Sequence, residues 1–135
     1  MKDIFIEDVY KNLDRKELVV SVFNPEKHKK DYQYSLSYKS LTKENQKCVD
    51  GLKEGLINLG FDAVYFKKRN SKNVTRFENF EVGYVDIRLN SNYIDVRLTN
   101  VGYSIKIPYA MENVEDAIKF IKRLCKKERR CPYSI

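Results

Sequence analysis

Histidine, glycine and cysteine are scarce in this chain of 135 residues, and their scarcity excludes several kinds of site. The 5 glycines are scattered, so the chain has no glycine-rich loop of the GxGxxG or Walker type to cradle a phosphate. The 3 cysteines lack the spacing of a zinc site or a disulfide framework. The only histidine, His28, lies among lysines in a predicted turn, so we expect it to be solvated. We therefore expect no catalytic residue, no metal and no cofactor.

Long apolar runs are also missing. No stretch approaches the ~20 apolar residues that a membrane-spanning helix needs, and the first residues, Met1 to Ile4, do not begin a secretory signal. An odd number of cysteines without a framework predicts reduced thiols. We expect a cytoplasmic protein without membrane contact. Because no repeat, low-complexity tract or flexible linker interrupts the chain, residues 1–135 are predicted to form one domain.

The chain does contain enough apolar and aromatic material for a packed core, since 42% of its residues are hydrophobic and 13% are aromatic. The pattern predicts an α+β fold. A short amphipathic helix is predicted at 5–13, and strands are predicted at 18–23 and 31–38. Every second residue of the second strand is large: Tyr32, Tyr34, Leu36 and Tyr38. The residues between them are smaller and polar. This face fits either core packing or an aromatic surface for a partner.

A long helix is predicted at 42–59. Thr42 is a good N-cap, an apolar stripe follows it, and Gly60 can end the helix. Gly51 and Gly55 lie four residues apart inside it, each at a cost of up to ~1 kcal/mol relative to alanine. Either another element packs closely against these glycines, or they are neutral.

The remaining strands form most of the predicted sheet. Residues 61–66 predict a strand and 67–77 an exposed loop, and strands at 82–89, 93–98 and 101–107 make an antiparallel meander. Alternate residues of the meander are apolar and define its inward face: Val85, Ile87, Leu89, Ile94, Val96, Leu98, Tyr103, Ile105 and Ile107. This pattern fixes the register, because a shift by one residue would turn an apolar row towards water.

The same register makes a second prediction, about charge. It places Arg88 opposite Asp95, Asp86 opposite Arg97 and Asp95 opposite Lys106, which are favourable cross-strand pairs. The simplest interpretation is a charge ladder on a solvent-facing side of the sheet.

A final helix is predicted at 113–127, with Asn113 as its N-cap and an apolar stripe that would cover the apolar face of the sheet. The predicted architecture is thus an antiparallel sheet that includes a C-terminal three-stranded meander. Two longer helices, at about 42–59 and 113–127, pack against this sheet, and the short N-terminal helix completes the fold.

Positive charge is concentrated in two segments. The chain has 26 Lys and Arg against 19 Asp and Glu, a net charge of +7; loop 67–77 contributes +5, residues 119–135 contribute +6, and the rest is −4. Such clusters bind nucleic acid by neutralising phosphates and releasing counterions, although a lysine-rich helix face can also be merely solvated. The cations of the two segments are Lys67, Lys68, Arg69, Lys72, Arg76, Lys119, Lys122, Arg123, Lys126, Lys127, Arg129 and Arg130.

Three acidic residues follow the order of a known catalytic layout. Glu54 on the long helix is followed by Asp86 and Asp95 on the meander, with Arg97 two residues later. This order resembles the PD-(D/E)xK nuclease family over roughly residues 44–125. The resemblance implies a divalent metal that the acidic residues hold beside the scissile phosphate. The chain departs from the family at Arg97, where the family has a lysine, and in lacking a proline before Asp86.

We expect a small non-enzymatic protein that contacts the phosphate backbone of nucleic acid through loop 67–77 and the C-terminal helix, which requires the two segments to be neighbours in the fold. No recognition-helix or RNP-type signature predicts sequence specificity.

The alternative is an acidic protein partner. Small, Lys/Asn-rich, single-domain chains are common among phage-type accessory proteins, including anti-CRISPR inhibitors of larger nucleic-acid-handling complexes. A metal-dependent nuclease with a degenerate layout is the third hypothesis.

Overall fold

The computed structural model describes residues 17–23, 34–64 and 73–129, the last four of these by their backbone alone. These residues form a six-stranded antiparallel sheet with two long helices packed on one face, which confirms the predicted α+β fold. The helix predicted at 5–13 lies outside the described residues. Neither described helix has the length and apolar composition that crossing a membrane requires.

The sheet has no parallel neighbours. The described elements are, in chain order, β1 (Val19–Val22), a 3-10 turn (Tyr38–Ser40), α1 (Lys43–Asn58), β2 (Asp62–Val64), β3 (Thr75–Asn79), β4 (Gly83–Leu89), β5 (Tyr93–Leu98), β6 (Tyr103–Pro108) and α2 (Met111–Arg129). The order across the sheet is β1-β6-β5-β4-β3-β2, and every neighbouring pair is antiparallel. The meander β4-β5-β6 therefore lies at its centre.

The observed register of the meander is the predicted one. Asp86 lies opposite Arg97, Arg88 opposite Asp95, and Asp95 opposite Lys106. All nine predicted inward residues are buried in a single core together with the apolar stripes of both helices. The strand ends differ from the prediction by at most two residues. Hydrophobic parity and charge pairing are thus both satisfied by one alignment of the three strands.

The helix α1 begins and packs as its sequence predicts. The Thr42 hydroxyl accepts a hydrogen bond from the Asn45 backbone amide at 3.1 Å, which is N-cap geometry. Gly51 and Gly55 face α2, where a methyl group added at Gly55 would lie 2.6 Å from Cδ1 of Ile118. The two glycines therefore allow close approach of the helices, and the packing interpretation is confirmed over the neutral one.

The helix α2 begins at Met111, two residues before the predicted start. The backbone amides of Asn113 and Val114 donate to the Ala110 carbonyl at 3.0 and 3.2 Å, so Asn113 lies inside the first turn. Its side-chain amide donates to the Pro108 carbonyl at 3.1 Å. The prediction of Asn113 as the N-cap was wrong, because this side chain ties the helix back to β6 instead of capping it.

The strand predicted at 31–38 is absent from its described part, which begins at Tyr34. The Leu36 amide donates to the Leu89 carbonyl at 2.8 Å, and the Leu89 amide donates to the Ser35 hydroxyl at 3.1 Å. The segment therefore crosses the end of β4 at one point and does not run alongside it. Tyr34 is 66% exposed whereas Ser35 is buried. The strand predicted from this alternation was wrong, because Ser35, and not the neighbouring Tyr34, provides the contact with the sheet.

The loop predicted at 67–77 ends earlier than expected. Residues 73 and 74 lead into β3 at Thr75, and Phe77 is buried opposite Val85. Residues 65–72 lie outside the described residues. The strand was missed because Phe77 is the only apolar residue in its five positions, so no apolar alternation marks it.

Gly83, at the start of β4, provides a test of the close approach between this turn and Asn100. Its φ is 90°, and a methyl group there would lie 2.6 Å from Cγ and Oδ1 of Asn100, whose Oδ1 accepts from the Tyr84 amide at 3.0 Å. We expect Gly83→Ala to lower the free energy of unfolding by about 2–3 kcal/mol. Gly102→Ala is the matched control, because Gly102 has a φ of 82° but no atom near its Cβ position, and should lose about 1–2 kcal/mol. Equal losses in urea unfolding would contradict the role of Asn100.

Tyr109, between β6 and α2, is expected to make the stability of the fold depend on pH in the alkaline range. Its hydroxyl donates to the Asn90 carbonyl at 2.8 Å, and burial, with a smaller contribution from Cys48, raises the pKa of Tyr109 to about 12 from 10.0. The folded pKa lies above the unfolded one. The stabilisation is therefore complete below pH 10 and is lost as the pH rises from 10 towards 12.

We expect the stability advantage of the wild type over Tyr109→Phe to shrink across this window, measured as the urea unfolding free energy at stepped pH values. The phenylalanine variant keeps the ring but has no group to ionise at this position. A difference between the two proteins that stays constant with pH would show that Tyr109 titrates normally.

Candidate functional site

The described cations of the C-terminal segment form one exposed face of α2. Lys119, Lys122 and Arg123 are exposed. Because an α-helix has about 3.6 residues per turn, spacings of three and four place them on one side of the helix. We call these three residues the basic face. The residues between and beyond them are buried in the core on the opposite side: Ala117, Phe120, Ile121 and Leu124.

The same helix continues to Arg129, so three more of the predicted cations belong to it. The other predicted binding residues lie outside the part of the chain whose side chains are described: Lys67, Lys68, Arg69, Lys72, Lys126, Lys127, Arg129 and Arg130.

The two basic segments are attached near different ends of β3. Asn73, within the predicted loop 67–77, lies two residues before Thr75, the first residue of β3. At the other end of the strand, the side-chain amide of Asn79 contacts Sγ of Cys125 at 3.6 Å, so the second half of α2 lies there. The strand spans about 13 Å between these ends. Asn73 and the second half of α2 therefore lie towards opposite ends of β3.

Arg76 is paired within the protein. Its Nε and Nη2 donate to the two carboxylate oxygens of Asp86 at 2.6 and 2.8 Å, and its guanidinium stacks on Tyr84, 4.1 Å from the ring centroid. Asp86 is completely buried and the Arg76 side chain is 21% exposed. A phosphate would have to displace this bidentate pair. Arg76 is therefore a structural residue of the sheet in this fold.

A second ion-pair cluster lies on the outer face of the meander. One oxygen of Asp95 accepts from Arg88 Nη1 at 2.6 Å and from Arg97 Nη2 at 3.0 Å, and the other accepts from the Ser104 hydroxyl at 3.3 Å. All four residues are buried, and Arg97 also stacks over Phe23 at 5.3 Å. The predicted pairing of Arg88 with Asp95 is confirmed, but the prediction that the charge ladder faces solvent was wrong. The charges form a layer inside the protein.

The nuclease-like layout requires these same carboxylates to hold a divalent metal. Asp86 is instead paired with Arg76, and Asp95 is paired with Arg88 and Arg97. Across the described ranges, no group of three His, Cys, Asp or Glu side chains is placed to hold a metal ion. The donor set does not fit a divalent cation, because arginines already occupy the oxygens that the metal would need.

One exposed aromatic residue was missed by the sequence analysis. Phe80 lies in the turn between β3 and β4, and its side chain is fully exposed. The contact between Asn79 and Cys125 places this turn beside the second half of α2. No sequence signal singled out Phe80, because an aromatic residue between polar neighbours gives no periodicity. Exposed aromatic residues beside cations are common in binding surfaces.

Comparison of the chain with models of known protein families, with curated proteins and with solved structures found no match.

Proposed function

We propose that this chain is a non-enzymatic protein that binds the phosphate backbone of nucleic acid. The observation that carries the proposal is the basic face of α2, where Lys119, Lys122 and Arg123 are exposed together. No acidic residue interrupts positions 117–127 of the helix. A helix face of this kind neutralises phosphates and releases their counterions without reading sequence.

Further cations are proposed to extend this surface. The C-terminal segment continues with four cations: Lys126, Lys127, Arg129 and Arg130. The loop adds contacts to a separate part of the nucleic acid through Lys67, Lys68, Arg69 and Lys72. Arg76 is not part of the proposal, because Asp86 holds its guanidinium. About five phosphate contacts in total are proposed.

The charge pattern of α2 also has a purely structural explanation. Glu112 lies in the first turn, where a negative charge complements the helix dipole and contributes about 0.3–1 kcal/mol. Glu115 lies four residues before Lys119, a spacing at which opposite charges stabilise a helix by about 0.2–0.5 kcal/mol without any partner. Only a binding measurement separates the two explanations.

The direct test is fluorescence anisotropy with labelled single-stranded and duplex oligonucleotides at low ionic strength. We expect dissociation constants that do not depend on base sequence, roughly 1–100 μM at physiological salt and lower at low ionic strength. Lack of binding to every oligonucleotide at low salt would overturn the proposal.

The second candidate is a protein partner with an acidic surface, as for a phage-type inhibitor of a nucleic-acid-handling complex. The specific observation that favours it is Phe80, fully exposed beside the second half of α2. An exposed apolar anchor suits a protein interface better than a phosphate backbone. This candidate predicts a stoichiometric complex with one protein from a host lysate, lost in Phe80→Ser, and little affinity for naked oligonucleotides. Retention of no partner would count against it.

A further inference from the structure

A small pocket opens between α1, the segment before it and the ends of β3 and β4. Its volume is about 190 Å³. Three of its lining residues are apolar and buried, and we call them the floor: Val49 from α1 with Ile87 and Leu89 from β4. A cavity of about 150 Å³ is enough to hold a benzene ring. The pocket therefore has room for a ligand built on one ring or on a branched chain of similar size.

The rim of the pocket is polar and carries one positive charge. Lys53 lines it from α1 and is only partly exposed, with its Nζ 5.7 Å from the centroid of the Tyr38 ring. Among the described residues, no carboxylate lies within ion-pair distance of Lys53. Asp50 lies one helical turn before Lys53, but both its oxygens accept from the Tyr38 hydroxyl, at 2.8 and 3.0 Å. The ammonium group of Lys53 thus lines the pocket without an ion-pair partner in the part of the chain that the structure describes.

Two neutral groups complete the rim. Asn73 is fixed in place, because its side-chain amide donates to the Ser35 carbonyl at 3.1 Å and its own carbonyl accepts from the Ser35 hydroxyl at 3.3 Å. Thr75 adds a hydroxyl from the first position of β3. A fixed rim of this kind orients a polar group above an apolar floor.

We propose that this pocket binds a small organic monoanion, a carboxylate carried by an apolar body about the size of one ring. The carboxylate pairs with Lys53 and accepts from Thr75, and the apolar body rests on Val49, Ile87 and Leu89. The site is independent of nucleic-acid binding. Val49 and Lys53 lie on the side of α1 opposite the glycines that face α2, so the helix separates the pocket from the basic face.

The test is an NMR titration of the full chain with benzoate, with its neutral near-isostere benzamide, and with acetate. We expect benzoate to bind with a dissociation constant on the order of 1 mM, as for a small fragment, with shifts centred on Val49, Ile87 and Leu89. Benzamide, which lacks the charge, and acetate, which lacks the apolar body, should each bind at least about tenfold more weakly. Equal binding of benzoate and either analogue would overturn the proposal.

Variants separate the pocket from general charge attraction. Lys53→Met should remove the preference for benzoate over benzamide, whereas Lys47→Met, which deletes an exposed lysine of the same helix, should leave it unchanged. If Lys53→Met is poorly folded, Lys53→Gln makes the same test. Retention of the full preference without Lys53 would contradict the assignment, whatever the outcome of the nucleic-acid experiments.

Discussion

Replacing Asp95 with alanine is expected to lower the free energy of unfolding by about 3–5 kcal/mol, measured by urea denaturation. The substitution removes the carboxylate that Arg88 and Arg97 share, and leaves two buried guanidinium groups without it. Their burial makes hydration difficult in the folded state. The loss is therefore much larger than that of an exposed ion pair, which contributes about 0–1 kcal/mol.

Asp86→Ala is the matched control for this prediction. Asp86 is also buried on β4, but its partner Arg76 keeps 21% of its side chain exposed and can regain water when the carboxylate is removed. We expect a clearly smaller loss for Asp86→Ala than for Asp95→Ala. A loss below about 1 kcal/mol for Asp95→Ala would mean that the charged layer is hydrated and not buried.

Reversing the charge of the basic face is expected to weaken oligonucleotide binding by about 100-fold or more at low ionic strength. The variant combines Lys119→Glu, Lys122→Glu and Arg123→Glu. It removes three proposed phosphate contacts and introduces three repulsive charges, while the buried side of α2 is untouched. Fluorescence anisotropy measures the affinity, and circular dichroism checks the fold.

A second triple variant controls for net charge. Lys39→Glu, Lys43→Glu and Lys47→Glu change the charge of the protein by the same amount at three other exposed lysines. We expect this variant to lose less than about tenfold in affinity. If both variants weaken binding equally, the protein attracts nucleic acid only through its total charge, and α2 is not the interface.

The central sheet was predictable because two independent patterns agree on it. The apolar parity of β4, β5 and β6 allows one register, and the pairs that Asp95 makes with Arg88 and Lys106 favour the same one. The start of α1 was predictable because capping is local chemistry, in which Thr42 binds an amide three residues away. Local and cross-strand rules therefore account for the part of the fold that the sequence predicts well.

The burial of the outer face could not be inferred from the sequence. Alternation shows that Arg88, Asp95 and Arg97 share a side of the sheet, but not whether that side is covered. Charged residues are almost never fully buried unless they are paired, so solvent exposure was the natural expectation. The register predicts Arg88 opposite Asp95, but it does not show that their ion pair lets both charges be buried.

The relation between the basic segments was also beyond the sequence. Loop 67–77 and residues 119–135 are far apart along the chain, and no periodicity links them. The structure shows that Asn73 and Cys125 lie towards opposite ends of β3, and that Arg76 already has a carboxylate partner. The basic face itself was predictable, because helical spacing separates its cations from the buried stripe of α2.

The salt dependence of oligonucleotide affinity tests the central claim most directly. If about five phosphates are neutralised, a plot of log K against log salt concentration between about 50 and 200 mM should be linear with a slope of about −4 to −5. A slope near zero would show that phosphates are not what this protein binds.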